Sequence, residues 1–241
     1  MSLHLIDYEK NGRLFFQPDV ARHIVRSLRK KTGEEMFATD GRGMVYKARI
    51  ETLDEKIFQA TILEETFIPL NWKASVACSL VKKDSRFEYF LEKATEIGVH
   101  RITPIRSERT LKPRLRLDRA QKIIEAAVQQ SFNPYVPILD DVISLPQYLE
   151  KVIPENEEKY IATAIDRGAL PLLEQQYSGI NPVHILIGPE GDFTPSEVEL
   201  AIQHQWVPVS LGSNRLRTDT AASMVVQMIK SCYHIKSRTT T

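Results

Sequence analysis

The chain has almost no net charge, with 32 Lys and Arg residues standing against 31 Asp and Glu for a formal +1 at pH 7. It therefore lacks the whole-molecule field that gathers nucleic acid, and any basic surface must be local. Cysteine is scarce as well, with only Cys78 and Cys232 in 241 residues. Two isolated thiols build no disulfide framework and offer no Cys-x-x-Cys pair to zinc, which fits a reducing compartment. Long apolar runs are missing. Met1-Ser2-Leu3-His4-Leu5-Ile6-Asp7 reaches a charge before any leader-type apolar segment forms, and no run approaches the roughly 20 residues that span a bilayer. A soluble, untargeted, cytoplasmic protein with no membrane contact is expected.

Several motifs are absent too. There is no Gly-x-x-x-x-Gly-Lys-[Ser/Thr], no Gly-x-Gly-x-x-Gly, no Gly-x-Ser-x-Gly and no His-Glu-x-x-His. Phosphate-loop, dinucleotide, esterase and zincin chemistries lose their support. His4, His23, His100, His184, His204 and His234 fall singly on predicted strands or helix ends, where structural roles are expected and no metal site is. What remains is an ordinary globular composition, 42% hydrophobic and 26% charged, in a length that suits one large domain or two modest ones.

The front of the chain reads as β-structure. Met44, Tyr46, Ala48 and Ile50 share one face of an alternating run while Lys47 and Arg49 point the other way. Asp40-Gly41-Arg42-Gly43 is a turn that pairs this strand with Glu35–Thr39, and Leu53-Asp54-Glu55 leads to another strand over Ile57–Leu63. A small antiparallel sheet or barrel is expected, with one helix over Asp19–Lys31 between Pro18 and Gly33.

Near Pro69-Leu70-Asn71 the pattern changes to short apolar runs separated by 3.6-period segments, so the boundary is placed near residue 70, giving domains 1–70 and 71–241. The second part reads as α/β with a parallel sheet, its strands at Ser75–Val81, Arg101–Ile105, Tyr160–Ile165, Val183–Ile187 and Val207–Leu211. Helices are expected between them: from a Ser85-x-x-Glu88 capping box to Gly98, over Asp118–Gln130, over Thr194–Gln205, and over Asp219–Tyr233 behind Thr218.

Ligands of open parallel sheets bind outside the carboxyl ends of the strands. Two loops there stand out. Gly188-Pro189-Glu190-Gly191-Asp192-Phe193 is either a tight strand-to-helix turn or a loop that brings backbone against a flat ligand. Gly212-Ser213-Asn214-Arg215-Leu216-Arg217 places two arginines at a helix entrance, where the dipole disfavours cations unless an anion sits nearby. That anion is either Asp219 or a group on a ligand. A third feature is the stretch from Arg101 to Lys122, in which eight cations meet only Glu108 and Asp118. Such a run is either a solvated face or a polarised surface for phosphates, and the Asp19–Lys31 helix adds Arg22, Arg26, Arg29, Lys30 and Lys31.

At the two loops the sequence resembles a known family. His184-Ile185-Leu186-Ile187-Gly188-Pro189-Glu190-Gly191 and Leu211-Gly212-x-x-x-Leu216-Arg217-Thr218-x-Thr220-Ala221 are similar to the signature of the SPOUT RNA methyltransferases. Lys93-Ala94-Thr95-Glu96-Ile97-Gly98-Val99, Ser107-Glu108-Arg109 and Glu125-Ala126-Ala127-x-Gln129-Gln130-Ser131 resemble one branch, the 16S rRNA (uracil-N3)-methyltransferases. His23 to Arg29, Lys31-x-Gly33 and Asp40-Gly41-x-Gly43 resemble its PUA-like RNA-binding barrel. The chain departs from the family pattern at Asp192, where a second glycine is usual, at Asn214-Arg215 in place of Arg-Ile, at Asp219 in place of glutamate, and at Phe132 in place of arginine.

The resemblance implies a small N-terminal PUA-like barrel over 1–70 and a SPOUT-type parallel sheet with a deep trefoil knot over 71–241. It implies S-adenosylmethionine held by Ile187, Gly188, Glu190, Gly191, Leu211, Gly212, Ser213, Leu216 and Thr220. It also implies a homodimer acting on 16S rRNA, within the small ribosomal subunit, with Arg26, Arg29, Arg106 and Arg109 gripping RNA phosphates. Methyl transfer to the uracil N3 then needs charge control more than covalent chemistry, and Arg217 is the candidate catalytic residue, stabilising negative charge on the base. Glu190, Asp219 and water stand as alternative proton acceptors. Competing expectations are a non-catalytic RNA-binding or ribosome-assembly factor and a methyltransferase acting on another rRNA or tRNA nucleotide.

Overall fold

The computed structural model describes residues 2–26, 29–53, 58–111, 114–165 and 168–239. The turn expected at Asp54-Glu55, Ile57 at the start of its strand, Ser27 and Leu28 of the first helix, and Lys112 of the basic run lie outside the described residues. The chain divides into two compact units, one of residues 1–70 with 124–136 and the other of residues 71–123 with 137–241.

The first unit is a six-stranded, mostly antiparallel sheet in the order β1-β4-β5-β6-β3-β2. Its strands are β1 (Leu3–Leu5), β2 (Tyr8–Lys10), β3 (Arg13–Phe15), β4 (Glu35–Thr39), β5 (Met44–Leu53) and β6 (Phe58–Phe67). The alternation in β5 does what its period requires. Tyr46, Ala48 and Ile50 are buried with Leu14, Met36 and Phe58 in one core, while Lys47 and Arg49 turn outward to the Glu35 carboxylate. Asp40 builds the turn before β5 by accepting from the Arg42 and Met44 amides at 2.8 and 3.1 Å. Gly43, at φ +110°, is obligatory there, because a Cβ would lie 2.7 Å from the Tyr135 ring and 2.9 Å from the Ile68 carbonyl.

The helix of this unit, α1 (Pro18–Arg26), packs Ala21 and Ile24 into the same core. Strands β1 to β3 were not legible from periodicity because each has only three residues. A signal for the β2–β3 hairpin was nevertheless present. Asn11-Gly12 takes φ of +52° and +75° between Lys10 and Arg13, the two-residue turn that Asn-Gly favours. Residues 132–136 close this unit, with Phe132 edge-on to Phe37 at 5.3 Å and the Val136 amide donating to the Gly41 carbonyl.

The second unit is α/β. Its parallel strands β7 (Ala74–Ser79), β8 (Arg101–Arg106), β9 (Ile138–Leu139), β10 (Ile143–Ser144), β11 (Glu158–Ala162), β12 (Val183–Ile187) and β13 (Val207–Val209) run in the order β10-β8-β7-β12-β11-β13, with β9 beside β8. Every residue of β7 is buried, as expected of a strand covered on both faces. Helices α2 (Asp84–Ile97), α3 (Leu117–Ser131), α4 (Leu145–Leu149), α5 (Leu173–Gln176), α6 (Pro195–Gln203) and α7 (Thr218–Thr239) follow the strands, α3 belonging to this unit only up to residue 123. The last returns against α2, β7 and β12.

Two sequence expectations need correction. The Ser85-x-x-Glu88 capping box does not form, because both Glu88 oxygens accept from Arg119, Nη2 at 2.8 Å and Nε at 2.5 Å. The helix instead starts at Asp84 behind Lys83 with no side-chain cap, and ends at Gly98 with φ +105° as expected. The basic run is also less free than its composition suggests: Arg101 pairs with Asp140 at 2.6 Å, Arg119 with Glu88, and Arg116 with Asp118 at 3.8 Å.

Candidate active site

All strands of the second unit point the same way, so the loops leaving β7, β8, β11, β12 and β13 gather at one end. The Gly188–Phe193 loop is the hub. It enters α6 through Thr194, whose Oγ1 accepts from the Glu197 amide at 3.2 Å while the Glu197 carboxylate accepts from the Thr194 amide at 2.9 Å. Each neighbouring loop clasps it. The Lys82 amide donates to Glu190 Oε1 at 3.0 Å, the Arg109 guanidinium donates to the Gly191 carbonyl at 2.6 Å, and the Glu108 amide donates to Glu197 at 2.7 Å.

Asp192 makes the fourth clasp. Its Oδ2 accepts from the Thr163 hydroxyl at 3.0 Å and the Ala164 amide at 2.7 Å, and its Oδ1 accepts from the Phe193 amide at 2.8 Å. Its φ of +61° is a left-handed conformation that glycine adopts freely and aspartate less so. The position where the family pattern carries glycine therefore keeps the glycine backbone and adds a cross-loop tie. This also ends β11 at Ala162, short of the Ile165 expected from sequence, because the Ala164 amide turns to a side chain.

The loops enclose a cavity lined by Ala162–Ala164, Ile187–Glu190, Asp192, Ser210–Gly212, Asn214–Leu216, Thr218 and Ala221. Of the residues singled out for a cofactor, Ile187, Gly188, Glu190, Leu211, Gly212 and Leu216 line it, whereas Gly191, Ser213 and Thr220 stand beside the lining. Thr163 and Ser210 line it without having been singled out, and Asp192 and Arg215, noted from sequence for other reasons, line it as well. The carboxyl-end rule applied to β11 and β13 was the signal that could have found Thr163 and Ser210.

Gly188 and Gly212 act differently. A Cβ on Gly188 would press on the Phe193 amide at 3.1 Å and on the Phe193 ring and Asp192 Oδ1 at 3.2 Å, so this glycine serves the loop's own packing. Gly212 has φ +114° with nothing within 4 Å of its would-be Cβ, so its backbone faces open space. The Gly212 amide donates to the buried Ser210 hydroxyl at 3.2 Å.

Arg217 is exposed at the entrance to α7, and no ion pair joins it to Asp219 among the described residues. Of the two anions open from sequence, Asp219 is therefore not the partner of Arg217 among the described residues. Asp219 Oδ1 is instead buried with no partner, an orphan acceptor beside a cavity wall. Burial first, and then the Asp219 and Glu190 charges, push the Cys78 thiol at the end of β7 well above its ordinary range, so it is no nucleophile. Arg106 is exposed at the end of β8, and Arg109 is exposed while tied to Gly191. Arg26 closes α1 and Arg29 follows at φ +52°, both in the first unit. Among the described residues no cluster suited to a metal ion occurs, and no helix is long and apolar enough to cross a membrane.

The model of the RNA methyltransferase domain family matches residues 69–230, and that of the RNA methyltransferase PUA domain matches residues 16–63. A ribosomal RNA small subunit methyltransferase E from Synechocystis is 31% identical over 87% of this chain and 70% of its own length. The chain belongs to that family. Its fold matches a probable rRNA-methyltransferase from Porphyromonas gingivalis with a TM-score of 0.87 and 34% identity, covering 98% of this chain and 99% of the other. It also matches a ribosomal RNA small subunit methyltransferase E from Neisseria gonorrhoeae bound to S-adenosyl methionine, with a TM-score of 0.85, 27% identity and coverage of 97% and 98%. The resemblance read from the two loops is thus shown at the level of the family.

Proposed function

We propose that the chain methylates N3 of a uridine in 16S ribosomal RNA, with S-adenosylmethionine as methyl donor. The observation that carries this reading is the clasped, glycine-bearing cavity at the carboxyl ends of the parallel sheet, in a chain whose relatives are named for methylation of small-subunit ribosomal RNA. The residues fit the cofactor on two counts. Ile187, Leu211, Leu216 and Ala221 give the cavity apolar walls, and Gly212 leaves backbone open to a flat ligand. Asp219 adds a buried, unpartnered acceptor that suits a ligand carrying cationic groups.

The cofactor supplies a methyl group activated on a sulfonium. The chain's own residues bind, orient and control charge. Arg215 at the cavity wall and Arg217 at the α7 entrance stabilise negative charge on the uracil oxygens as N3 gives up its proton. Glu190 and Asp219 are the carboxylates at hand to receive it, and the amide of Lys82 holds one Glu190 oxygen in place. Arg26, Arg29, Arg106 and Arg109 hold RNA phosphates, within the small subunit, while the target base leaves its stack.

A trefoil knot belongs to the same reading. Its support is that β13 pairs with β11, so the chain leaving β12 passes beyond β11 before α7 returns to β7 and β12. So does a homodimer, supported by Met224 and Ile235 standing 46% and 67% exposed on α7. The test is mass-spectrometric mapping of 16S rRNA from a deletion strain, before and after treatment with purified enzyme and labelled S-adenosylmethionine. Loss and restoration of one N3-methyluridine is expected. An unchanged map with intact RNA binding would leave a non-catalytic binder, and a different lost methyl would move the acceptor.

A further inference from the structure

A second cavity, of about 280 Å³, opens at the other pole of the same sheet, where β7, β8, β11 and β12 begin. Its walls come from Lys73 and Ser75 before and in β7, His100 and Arg101 before and in β8, and Lys151 after α4. The cofactor loops leave the opposite ends of these strands, so this cavity has no part in the methyl-transfer site.

The cavity has more donors than acceptors. Its back wall is a chain already satisfied: the Tyr148 hydroxyl meets His184 Nδ1 at 3.3 Å and His184 Nε2 meets Glu157 at 2.5 Å. Burial outweighs Glu157 and holds the His184 imidazole below its ordinary range, so its Nε2–H donates to Glu157 and its Nδ1 accepts from Tyr148. The other nearby carboxylate, Asp140, is shared among the Arg101 guanidinium at 2.6 Å, the Thr103 hydroxyl at 2.5 Å and Lys151 at 3.7 Å. Both negative groups are therefore spent. Among the described residues Lys73 has no ion pair, the His100 ring and the Ser75 hydroxyl have no hydrogen bond, and Arg101 is tied through one nitrogen only. Three cations, of which Arg101 and Lys151 share Asp140 and Lys73 has no ion pair among the described residues, stand with an imidazole and a hydroxyl around one small space and form a donor set for a tetrahedral oxyanion.

We infer that this cavity is a phosphate-binding site, built from Lys73, Ser75, His100, Arg101 and Lys151. The phosphoryl group comes from a free phosphate compound or from a backbone phosphate of RNA, and the inference does not rest on the acceptor base proposed above. The test compares wild type with Lys73→Ala/Lys151→Ala, both exposed positions whose truncation leaves the core intact. Calorimetry with inorganic phosphate and anisotropy with a single-stranded oligoribonucleotide are the two arms. S-adenosylmethionine affinity and melting temperature, which report on the other pole and on folding, are expected to stay unchanged.

Saturable phosphate binding that weakens about tenfold or more in the double variant supports the site and a free ligand. No phosphate binding, with RNA affinity falling about tenfold in the variant, supports the site and a backbone phosphate. Phosphate and RNA affinities both indifferent to the substitutions would overturn the inference. Should the double variant lose stability, His100→Gln, which keeps a neutral polar side chain but withdraws the imidazole, is read in the same two arms with the same criteria.

Discussion

Asp192 can be separated into a backbone cost and a tie between loops, and three substitutions tell them apart. Its left-handed φ costs a non-glycine residue about 1 kcal/mol, and its carboxylate returns hydrogen bonds to Thr163, Ala164 and Phe193. The Phe193 bond is to the next residue and holds only the local turn. The other two join segments 28 and 29 residues apart, and at about 1 kcal/mol each they contribute about 2 kcal/mol. Asp192→Gly loses the tie but also the strain, for a net loss of about 1 kcal/mol. Asp192→Ala loses the tie and keeps the strain, for about 2 kcal/mol. Asp192→Asn keeps one oxygen for the Thr163–Ala164 pair and surrenders the local bond, for less than about 1 kcal/mol. At about 2–4 °C per kcal/mol for a chain of this size, the melting temperatures order as wild type, Asn, Gly, Ala. Because Thr163, Ala164 and Asp192 all line the cavity, S-adenosylmethionine affinity in calorimetry should follow the same order. Thermal unfolding with and without ligand reads both. A Gly variant as stable as wild type would limit the cross-loop bonds to the strain they offset, about 1 kcal/mol, and one more stable than wild type by about 1 kcal/mol with unchanged affinity would show that they contribute nothing and that the reasoning is wrong.

Three further outcomes are expected. Arg217→Ala should lower the single-turnover methylation rate by roughly 10²-fold or more while leaving the melting temperature in place, since no ion pair in the described residues is lost; a wild-type rate would remove it from the chemistry. Gly212→Val and Gly188→Val should each abolish S-adenosylmethionine binding and lower the melting temperature, the first through backbone strain at φ +114° with no packing lost and the second through the Phe193 contacts; a folded variant of either with wild-type affinity would refute the assignment of these loops to the cofactor. His4 is held neutral, its pKa lowered to about 4 by burial first and then by the His23 and Lys30 charges. The unfolded chain takes up this proton near pH 6.5 and the folded one does not, so its contribution is present above that pH and is lost as pH falls through 6.5 toward 4, on the order of 3 kcal/mol in all. Wild type should therefore lose stability over that window relative to His4→Phe, and parallel pH profiles would contradict it.

How much of this was legible in the sequence depends on how local each signal is. Val183–Ile187 is read to the residue because a buried parallel strand is a continuous apolar run, and the Thr194 and Glu197 box lies wholly within one turn. The Ser85 and Glu88 box has the same local grammar and fails, since a guanidinium 31 residues away offers Glu88 two charge-assisted hydrogen bonds in place of one to an amide. The same competition decides Arg101 and Arg109, which composition presents as free positive charge and the fold commits to Asp140 and Gly191. At the site, the glycines announced the loops but not what the loops would be tied to. Asp192 is the clearest case: as a sequence it is a departure from a glycine pattern, and only the approach of Thr163 and Ala164 turns the departure into a reinforcement. A polar residue in a strand-end loop therefore says little until its partners across the sheet are known, whereas an apolar period or a left-handed glycine states its role alone. It follows that Asp192→Gly, which restores the family pattern, should weaken this protein unless Thr163 and Ala164 find another acceptor, because the tie and not the pattern is what holds the loops here.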